Sequence, residues 1–347
     1  MSTSALRAMI FVVAAIAFVA SPGHAARKNG PGHKLSLDSV NGAKWRGGTV
    51  STALLVKLQV LLDRAHASPG EIDGSRGENT RKAVAAYREI SGLGRGQQID
   101  EKLWRALVEK DQEPALTTYT ITEKDVAGPF IDKVPEDYRE KASLKRLNYT
   151  STPELLAEKF HMSEKLLRQL NPNARFEQAS TEIVVANVQR DELPRKVSRI
   201  EVDAARQRVV AYDRSDVVVA IYPATVGSGE RPSPSGEFKV TGVSENPTYH
   251  YDPSLNLRGV DIQEPLVLPP GPNNPVGLVW IALSAKGYGI HGTPDPGTVG
   301  KHTSHGCVRL TNWDALEIAK HVSKGTGVSI SAHTPGRKAA TPLRGPH

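Results

Sequence analysis

The sequence of 347 residues contains one cysteine, Cys307, and only three methionines. A single cysteine cannot pair within the chain, which excludes a fold held by internal disulfides. Beyond the first 25 residues the sequence also lacks an apolar run long enough to cross a bilayer. Long blocks of like charge are missing too, because the formal net charge of +7 is spread along the chain. With no nucleic-acid motif beside it, that charge predicts an ordinary basic surface and no nucleic-acid partner.

The first 25 residues have the order of an export signal. Arg7 supplies the positive end, residues 8–20 form an unbroken apolar run, and small residues stand near Ala25. We therefore predict a signal peptide over 1–25 and a mature protein in the periplasm or cell wall, with an uncleaved N-terminal anchor as the alternative. A lone cysteine in an oxidising compartment is exposed to oxidation, so reactivity explains Cys307 better than packing does.

Composition and periodicity divide the rest of the chain into a multidomain α+β arrangement. Abundant Gly, Lys and Arg with little periodicity predict a flexible leader over 26–48. Pro and Gly among basic residues predict a disordered tail over 333–347. Between them we predict three structured parts, which are a three-helix bundle over 49–112, a small βααβ module over 118–188, and a mostly-β domain with one main helix over 196–332.

The first of these parts has apolar residues at helical spacing, with Asp100 as a helix cap. It resembles the three-helix peptidoglycan-binding domain of wall enzymes, on the following residues: Leu58-Gln59, Pro69-Gly70, Ile72-Asp73-Gly74, Asn79-Thr80 and Trp104. Tyr87-Arg88 stand where that family has Phe-Gln. The resemblance implies binding to peptidoglycan, whereas a bundle that only packs is the alternative.

The second part reads as strand, helix, helix, strand. Tyr119–Thr122 alternates as a strand, two short helices follow, and Asn171-Pro172 turns the chain toward a strand at Ile183–Val185. This order is similar to a LysM carbohydrate-binding module, which implies a glycan partner. The stretch Asp125–Asn148 is then an insertion.

From about Lys196 the apolar period changes to two, which predicts short strands separated by turns. One helix follows Cys307, with Asn312 as its expected cap. The predicted strands are Arg199–Val202, Arg208–Tyr212, Val217–Tyr222, Glu237–Val240 and Val328–Ile330.

The cysteine lies in a bed of small residues with histidines before it. Attack on an amide carbonyl requires the thiolate, so an imidazole must take the proton or stabilise the anion. His291 and His305 are the two candidates. Gly292 and Gly306 let backbone approach a substrate closely, and amides at Gly306 and Cys307 are candidates for an oxyanion site.

Two runs of residues carry a resemblance to a known family. Gly289-Ile290-His291-Gly292-Thr293, followed by Ser304-His305-Gly306-Cys307-Val308-Arg309, looks like the catalytic signature of the YkuD-type L,D-transpeptidases. Pro234-Ser235-Gly236-Glu237-Phe238 matches the family's substrate-side turn, with Ser233 in place of its Thr. Pro270 to Gly277 matches the loop before its penultimate strand.

The resemblance implies attack by Cys307 on a peptidoglycan stem tetrapeptide, release of the terminal D-alanine, and transfer to an amine that yields a 3-3 crosslink. It implies His291 as general base, oriented by a backbone carbonyl. The other site residues that we carry over are His305, Gly306, Gly292 and Ser304 around the oxyanion, and Arg309, Tyr249 and Asn312 toward the substrate. Arg309 is the expected partner of the substrate carboxylate.

Several alternatives stay open at this point. Water as acceptor would make the protein an L,D-carboxypeptidase, and a lipoprotein lysine would make it an anchoring transpeptidase. A protein that binds peptidoglycan without catalysis is the rival from another class. Zinc held by His291, His302, His305 and Cys307 fits no standard spacing, so we expect neither a metal nor a cofactor.

Overall fold

A computed structural model describes residues 35–227, 233–255, 262–301 and 306–331. The predicted export signal and the predicted tail therefore lie outside the described residues. Within those ranges, none of the helices combines the length and the apolar character that a bilayer crossing needs.

Four helices open the described chain, and we call residues 35–112 the helical segment. Ser51 and Asp100 cap the second and fourth helices with their side chains, as expected for Asp100. Leu58 and Tyr87 are fully buried where these helices meet. The helices are α1 (Leu37–Asn41), α2 (Thr52–Arg64), α3 (Glu78–Ile90) and α4 (Glu101–Lys110).

The flexible leader predicted over 26–48 is wrong where the structure describes it, since α1 lies inside that range. Ser36 caps α1, and Val40 is fully buried in a core shared with the following segment. The Asn41 side chain bonds both the N–H and the carbonyl of Leu116, at 2.8 and 2.9 Å. Long-range burial and pairing thus order a stretch whose composition suggested disorder.

The middle segment, residues 113–188, contains a two-stranded antiparallel sheet in which Leu116 pairs with Ala186. Its two longer helices lie between the strands, in the predicted order. Of two shorter helices, one lies within the stretch predicted as an insertion and the other begins two residues before it. The elements are β1 (Leu116–Thr120), α5 (Glu123–Ala127), α6 (Tyr138–Ser143), α7 (Thr152–Lys159), α8 (Glu164–Leu170) and β2 (Glu182–Ala186).

The C-terminal segment, residues 196–331, is mostly β with one α-helix among its described residues. Its strands are β3 (Arg199–Asp203), β4 (Arg208–Tyr212), β5 (Val218–Pro223), β6 (Thr225–Val226), β7 (Gly236–Glu245), β8 (Tyr249–Tyr251), β9 (Leu266–Leu268), β10 (Val279–Leu283), β11 (Gly289–His291), β12 (Val308–Arg309) and β13 (Gly327–Ile330). The helix is α9 (Asn312–His321). Thr311 caps α9, so the cap expected at Asn312 is wrong by one residue. Four of the five predicted strands lie at the predicted places, with ends that differ by at most one residue, whereas the strand predicted over Glu237–Val240 is longer and continues to Glu245.

Nine of these strands form one sheet in the order β5-β4-β3-β13-β7-β10-β11-β12-β6. The long strand β7 joins the two halves because it pairs with β13 along its first part and β10 along its second. Strands β11 and β12 run parallel and adjacent, with His291 opposite Arg309. This pairing brings the two sequence runs of the predicted site together. Strands β8 and β9 pair separately.

A buried charge cluster joins the three segments, and we call it the junction cluster: Asp63, His161, Arg190, Asp314 and Glu317. Asp63 accepts from His161 at 3.1 Å, and Arg190 lies 2.9 Å from Glu317. Burial raises the pKa of Asp314 to about 8. Burial by itself would raise the pKa of Asp63, but Arg190 and then His161 hold that pKa below its usual value. Each of the three segments contributes a side chain to this cluster, and Arg190 comes from the connection between the middle and C-terminal segments.

Candidate active site

The pairing of β11 with β12 places the cysteine and the histidine on neighbouring strands. Cys307 stands one residue before β12, and the Gly289 backbone at the start of β11 hydrogen-bonds its sulfur. His291 ends β11 two residues further on. The side chain of Cys307 is partly buried, and that of His291 is buried. Two runs separated by a loop thus meet at one end of a parallel strand pair.

The tautomer of His291 follows from its hydrogen bond. Its Nδ1 lies 2.6 Å from the carbonyl oxygen of Gly292. A carbonyl oxygen only accepts, so Nδ1 carries the proton and donates it. The other ring nitrogen, Nε2, is then left with a lone pair and can accept a proton. A backbone carbonyl therefore orients the imidazole, as the family resemblance implies.

Burial makes the resting site electrically neutral at the sulfur and the imidazole. It lowers the pKa of His291 to about 3, helped by the charge of Arg309 and opposed by the bond to Gly292. It also raises the pKa of the Cys307 thiol, against the opposing effects of the Gly289 backbone and Arg309. At neutral pH the pair is a thiol and a neutral imidazole rather than an ion pair.

Trp280 holds the imidazole from one side, a contact that the sequence did not reveal. Its ring stacks on that of His291 with centroids 5.4 Å apart and planes 22° apart. The two residues are direct partners between β10 and β11. A Cβ at Gly289 would lie 2.5 Å from the Trp280 ring, so the absence of a side chain there makes room for it.

Asn312 lies behind His291 rather than in an open groove. It is 1% exposed, accepts from the Leu278 N–H at 3.1 Å and donates to Glu158 of α7 at 2.9 Å. A Cβ at Gly292 would clash with the Asn312 amide oxygen. Gly292 therefore allows Asn312 to pack against the backbone whose carbonyl holds His291.

Gly306 occupies a backbone conformation that favours glycine, with φ at 117°. Its carbonyl accepts a hydrogen bond from Ser233 Oγ at 2.6 Å. Ser233 is the residue that stands where the family has Thr, so the predicted substrate-side turn is tied directly to the cysteine segment.

Arg309 and Tyr249 form the wall beside the sulfur. The charge of Arg309 acts on Cys307, Tyr249 and Asp295, and burial lowers the pKa of its guanidinium. Its Nε is buried without a hydrogen-bond partner in the described part of the chain. Burial, together with Tyr138 and Cys307, raises the pKa of Tyr249 well above its usual value. Tyr138 belongs to α6, and nothing in the local sequence marks it as a site residue.

Two predicted site residues, Ser304 and His305, lie outside the described residues, as does His302 of the zinc alternative. The described site therefore brings together Cys307, His291, Gly292, Gly306, Arg309 and Tyr249, with Asn312 behind them.

Comparison with family models places one match on this part of the chain. Residues 198–330 match the YkuD model, described as an L,D-transpeptidase catalytic domain.

Curated relatives carry related names. The chain is 32% identical over 183 residues to the putative L,D-transpeptidase YkuD of Bacillus licheniformis, covering 52% of this chain and 93% of that protein. It is 35% identical over 119 residues to the putative L,D-transpeptidase YqjB of Bacillus subtilis, covering 33% of this chain and 60% of that one. With the probable L,D-transpeptidase YcfS of Escherichia coli the identity is 32%, over 41% of this chain and 46% of the relative.

Among solved structures, L,D-transpeptidase 3 from Mycobacterium tuberculosis aligns with 44% of this chain and 75% of its own, at 15% identity and a TM-score of 0.33. A likeness of that size carries no argument.

Proposed function

The chain belongs to the YkuD family of L,D-transpeptidases, which are cysteine-nucleophile acyltransferases, and from that premise we propose that it crosslinks peptidoglycan. The donor is a stem tetrapeptide, the leaving group is its terminal D-alanine, and the product is a 3-3 crosslink. The observation that carries the proposal is the hydrogen bond from His291 Nδ1 to the Gly292 carbonyl, beside the strand that follows Cys307. It leaves Nε2 as a base on the strand neighbouring the thiol.

In the first half-reaction, the Cys307 thiol gives its proton to His291 Nε2 as the sulfur attacks the carbonyl before the terminal D-alanine. The carbonyl oxygen becomes an oxyanion, for which the amides of Gly306 and Cys307 are the donors. When the C–N bond breaks, His291 returns the proton to the departing amine. D-Alanine leaves, and the tripeptide remains as a thioester on Cys307.

In the second half-reaction, an amine of a neighbouring stem attacks the thioester. His291 takes the amine proton, and the sulfur leaves and recovers a proton from His291. The imidazole is neutral at rest and can accept a proton at both stages, but its low pKa and the raised pKa of the thiol mean that the proton moves only as the sulfur attacks.

Arg309 is proposed to bind the donor's carboxylate. Its buried, unpartnered Nε, within the described residues, supports that role, because a guanidinium pairs strongly with a carboxylate. Tyr249 provides the adjoining wall. Asn312 is proposed to support His291 indirectly, because it packs against the Gly292 backbone whose carbonyl orients the imidazole.

The proposal also covers the two segments before the catalytic domain and the export signal. A peptidoglycan-binding role for residues 49–112 and a LysM-like role for 118–188 would hold the enzyme on its insoluble polymer and raise the local donor concentration. The proposed site of action is the periplasm or cell wall, reached through a signal over 1–25.

Incubation of the purified protein with tetrapeptide muropeptides, followed by mass analysis, tests the function. We expect crosslinked dimers and free D-alanine, both lost in Cys307→Ala. Tripeptides alone would assign the carboxypeptidase reaction. If no product forms and the protein is retained on peptidoglycan sacculi, its function is to bind peptidoglycan without catalysis.

A further inference from the structure

We propose that Tyr138, which α6 contributes from the middle segment, is a positioning residue for the acyl donor and holds Tyr249 beside Arg309 and Cys307. The inference rests on the proposed function, since it concerns how the donor is held at the same site. It also assigns a purpose to the stretch that interrupts the βααβ order.

The α6 stretch is fixed by its backbone to the loop before β10. The Leu147 N–H donates to the Pro270 carbonyl at 2.9 Å, and the Asn273 N–H donates to the Leu147 carbonyl at 2.9 Å. The Asn273 side chain also donates to the Asn148 carbonyl at 2.8 Å. A Cβ at Gly271 would clash with the Leu147 backbone, so the close approach depends on glycine there. The predicted insertion is therefore packed against the C-terminal segment.

Side chains extend this docking to the small β8–β9 sheet. Leu147 is fully buried in a cluster with Tyr251 and Leu268, against which Tyr138 and Leu144 pack. Arg139 also pairs with Glu264 at 2.6 Å, but both side chains are about half exposed, so the pair adds little stability. Apolar contact is therefore what joins α6 to the sheet that carries Tyr249.

Within this cluster, Tyr138 contacts the tyrosine that lies beside Arg309 and Cys307. Its ring meets those of Tyr249 and Tyr251 edge to face, with centroids 6.2 and 5.4 Å apart. Edge-to-face contact fixes the angle of a neighbouring ring as well as its distance. The ring of Tyr249 in turn lies within the electrostatic reach of Cys307 and Arg309. The charge of Arg309 also acts on Tyr138 itself.

These contacts form a chain from the middle segment to the sulfur. Displacing Tyr249 would widen the site next to the guanidinium that is proposed to hold the donor carboxylate. Loss of a binding contact that the bound donor and the transition state share raises the KM and leaves kcat nearly unchanged. The thiol itself, which is held by the β11–β12 pair, would keep its position and its hydrogen bond to the Gly289 backbone.

The test compares Tyr138→Ala, Tyr138→Phe and Leu144→Ala in the full chain. Leu144 is the matched control, because it packs in the same cluster but has no part in the aromatic contacts to Tyr249. The readouts are KM and kcat for D-alanine release from a tetrapeptide, and the rate at which iodoacetamide alkylates Cys307. Iodoacetamide is a small reagent whose reaction with the thiol does not depend on the position of Tyr249.

We expect Tyr138→Ala to raise the KM by about 10-fold or more and to leave alkylation within about 3-fold of wild type. Tyr138→Phe, which keeps the ring, and Leu144→Ala should both stay within about 3-fold in KM. An unchanged KM in Tyr138→Ala would overturn the proposal. So would an equal loss in Leu144→Ala, or a loss of alkylation that parallels the loss of turnover, because either would indicate a merely structural role.

Failure of the proposed function is distinguishable from failure of this inference. If the wild type releases no D-alanine, calorimetric binding of the tetrapeptide to Cys307→Ser, with and without Tyr138→Ala, decides the inference. Binding weakened about 10-fold or more by the second substitution would support it. Equal binding, or no binding by Cys307→Ser, would overturn it.

Discussion

The neutral state of the Cys307–His291 pair distinguishes this site from cysteine enzymes that store a thiolate. An ion pair requires a histidine whose charged form is stabilised, whereas burial and Arg309 both destabilise that form here. The proton therefore moves when the sulfur attacks, not before. His291 consequently stays neutral across the pH range in which the enzyme would work.

Alkylation of Cys307 as a function of pH tests this view of the pair. Because burial raises the thiol pKa, the rate with iodoacetamide should climb steadily from pH 6 to pH 9 without reaching a plateau. His291, with a pKa of about 3, should add no acid limb between pH 5 and 8. The only cysteine in the chain makes the reaction site-specific. A plateau extending down to pH 5 would indicate a preformed ion pair and contradict the account.

For the secondary-structure elements, the local sequence pattern predicted many of the strands, whereas contacts between distant residues could not be predicted from it. Alternating apolar residues between turns predicted strands such as Arg208–Tyr212 with the observed bounds. The residues of the two motif runs predicted that these runs lie together, and β11 does pair with β12. Tyr138 and the Asn312–Glu158 bond were not predictable, because each joins residues more than 100 positions apart and leaves no local periodic signal.

Glu158 links α7 to α9 and gives an element-scale prediction. Burial raises its pKa to about 7, while bonds from Asn312 and Tyr149 oppose the shift and the neighbouring charge of Glu154 adds to it. The folded protein therefore holds a proton that the unfolded chain releases near pH 4.5, so this group makes the fold less stable as the pH rises from about 4.5 to 7.

Glu158→Gln removes that dependence, because its amide oxygen can still accept from Asn312 while its NH2 donates to the Tyr149 hydroxyl, which reverses the direction of that bond. We expect urea unfolding to show equal stability of variant and wild type near pH 4.5, and a variant more stable by up to about 3 kcal/mol at pH 8. Glu164→Gln is the control, because Glu164 is exposed and forms only a surface ion pair with Arg168, so it should change either value by no more than about 0.5 kcal/mol. A variant less stable than wild type at pH 8 would mean that the Glu158 charge is a net stabiliser.

On the scale of the whole molecule, the three segments that the structure describes are more tightly joined than a string of modules. Val210 and Ile221 of the C-terminal segment are buried among helical-segment residues such as Leu58 and Leu61. Asn79, part of the peptidoglycan-binding resemblance, donates to the Val299 carbonyl at 2.8 Å. Residues that suggested an independent binding module thus also form an internal interface. The sequence could not reveal this, because the same side chains are compatible with either use.

Unfolding should therefore be shared between the segments. We expect the full chain to melt in one transition by circular dichroism and by tryptophan fluorescence, since tryptophans lie in both the helical and C-terminal segments. A fragment of residues 196–347 should melt about 10 °C lower or more, because the apolar faces of β4 and β5 lose their cover. Two separate transitions, or a fragment as stable as the whole, would contradict a shared core.

Covalent catalysis by Cys307 is tested by mixing the protein with a tetrapeptide donor and no acceptor amine and quenching the reaction rapidly. The intact protein mass and the released D-alanine are then measured. We expect one tripeptide mass per chain with one equivalent of D-alanine, no adduct in Cys307→Ala, and adduct formation slowed about 100-fold or more in His291→Ala. D-Alanine release by Cys307→Ala, or adduct formation in His291→Ala at the wild-type rate, would contradict the account.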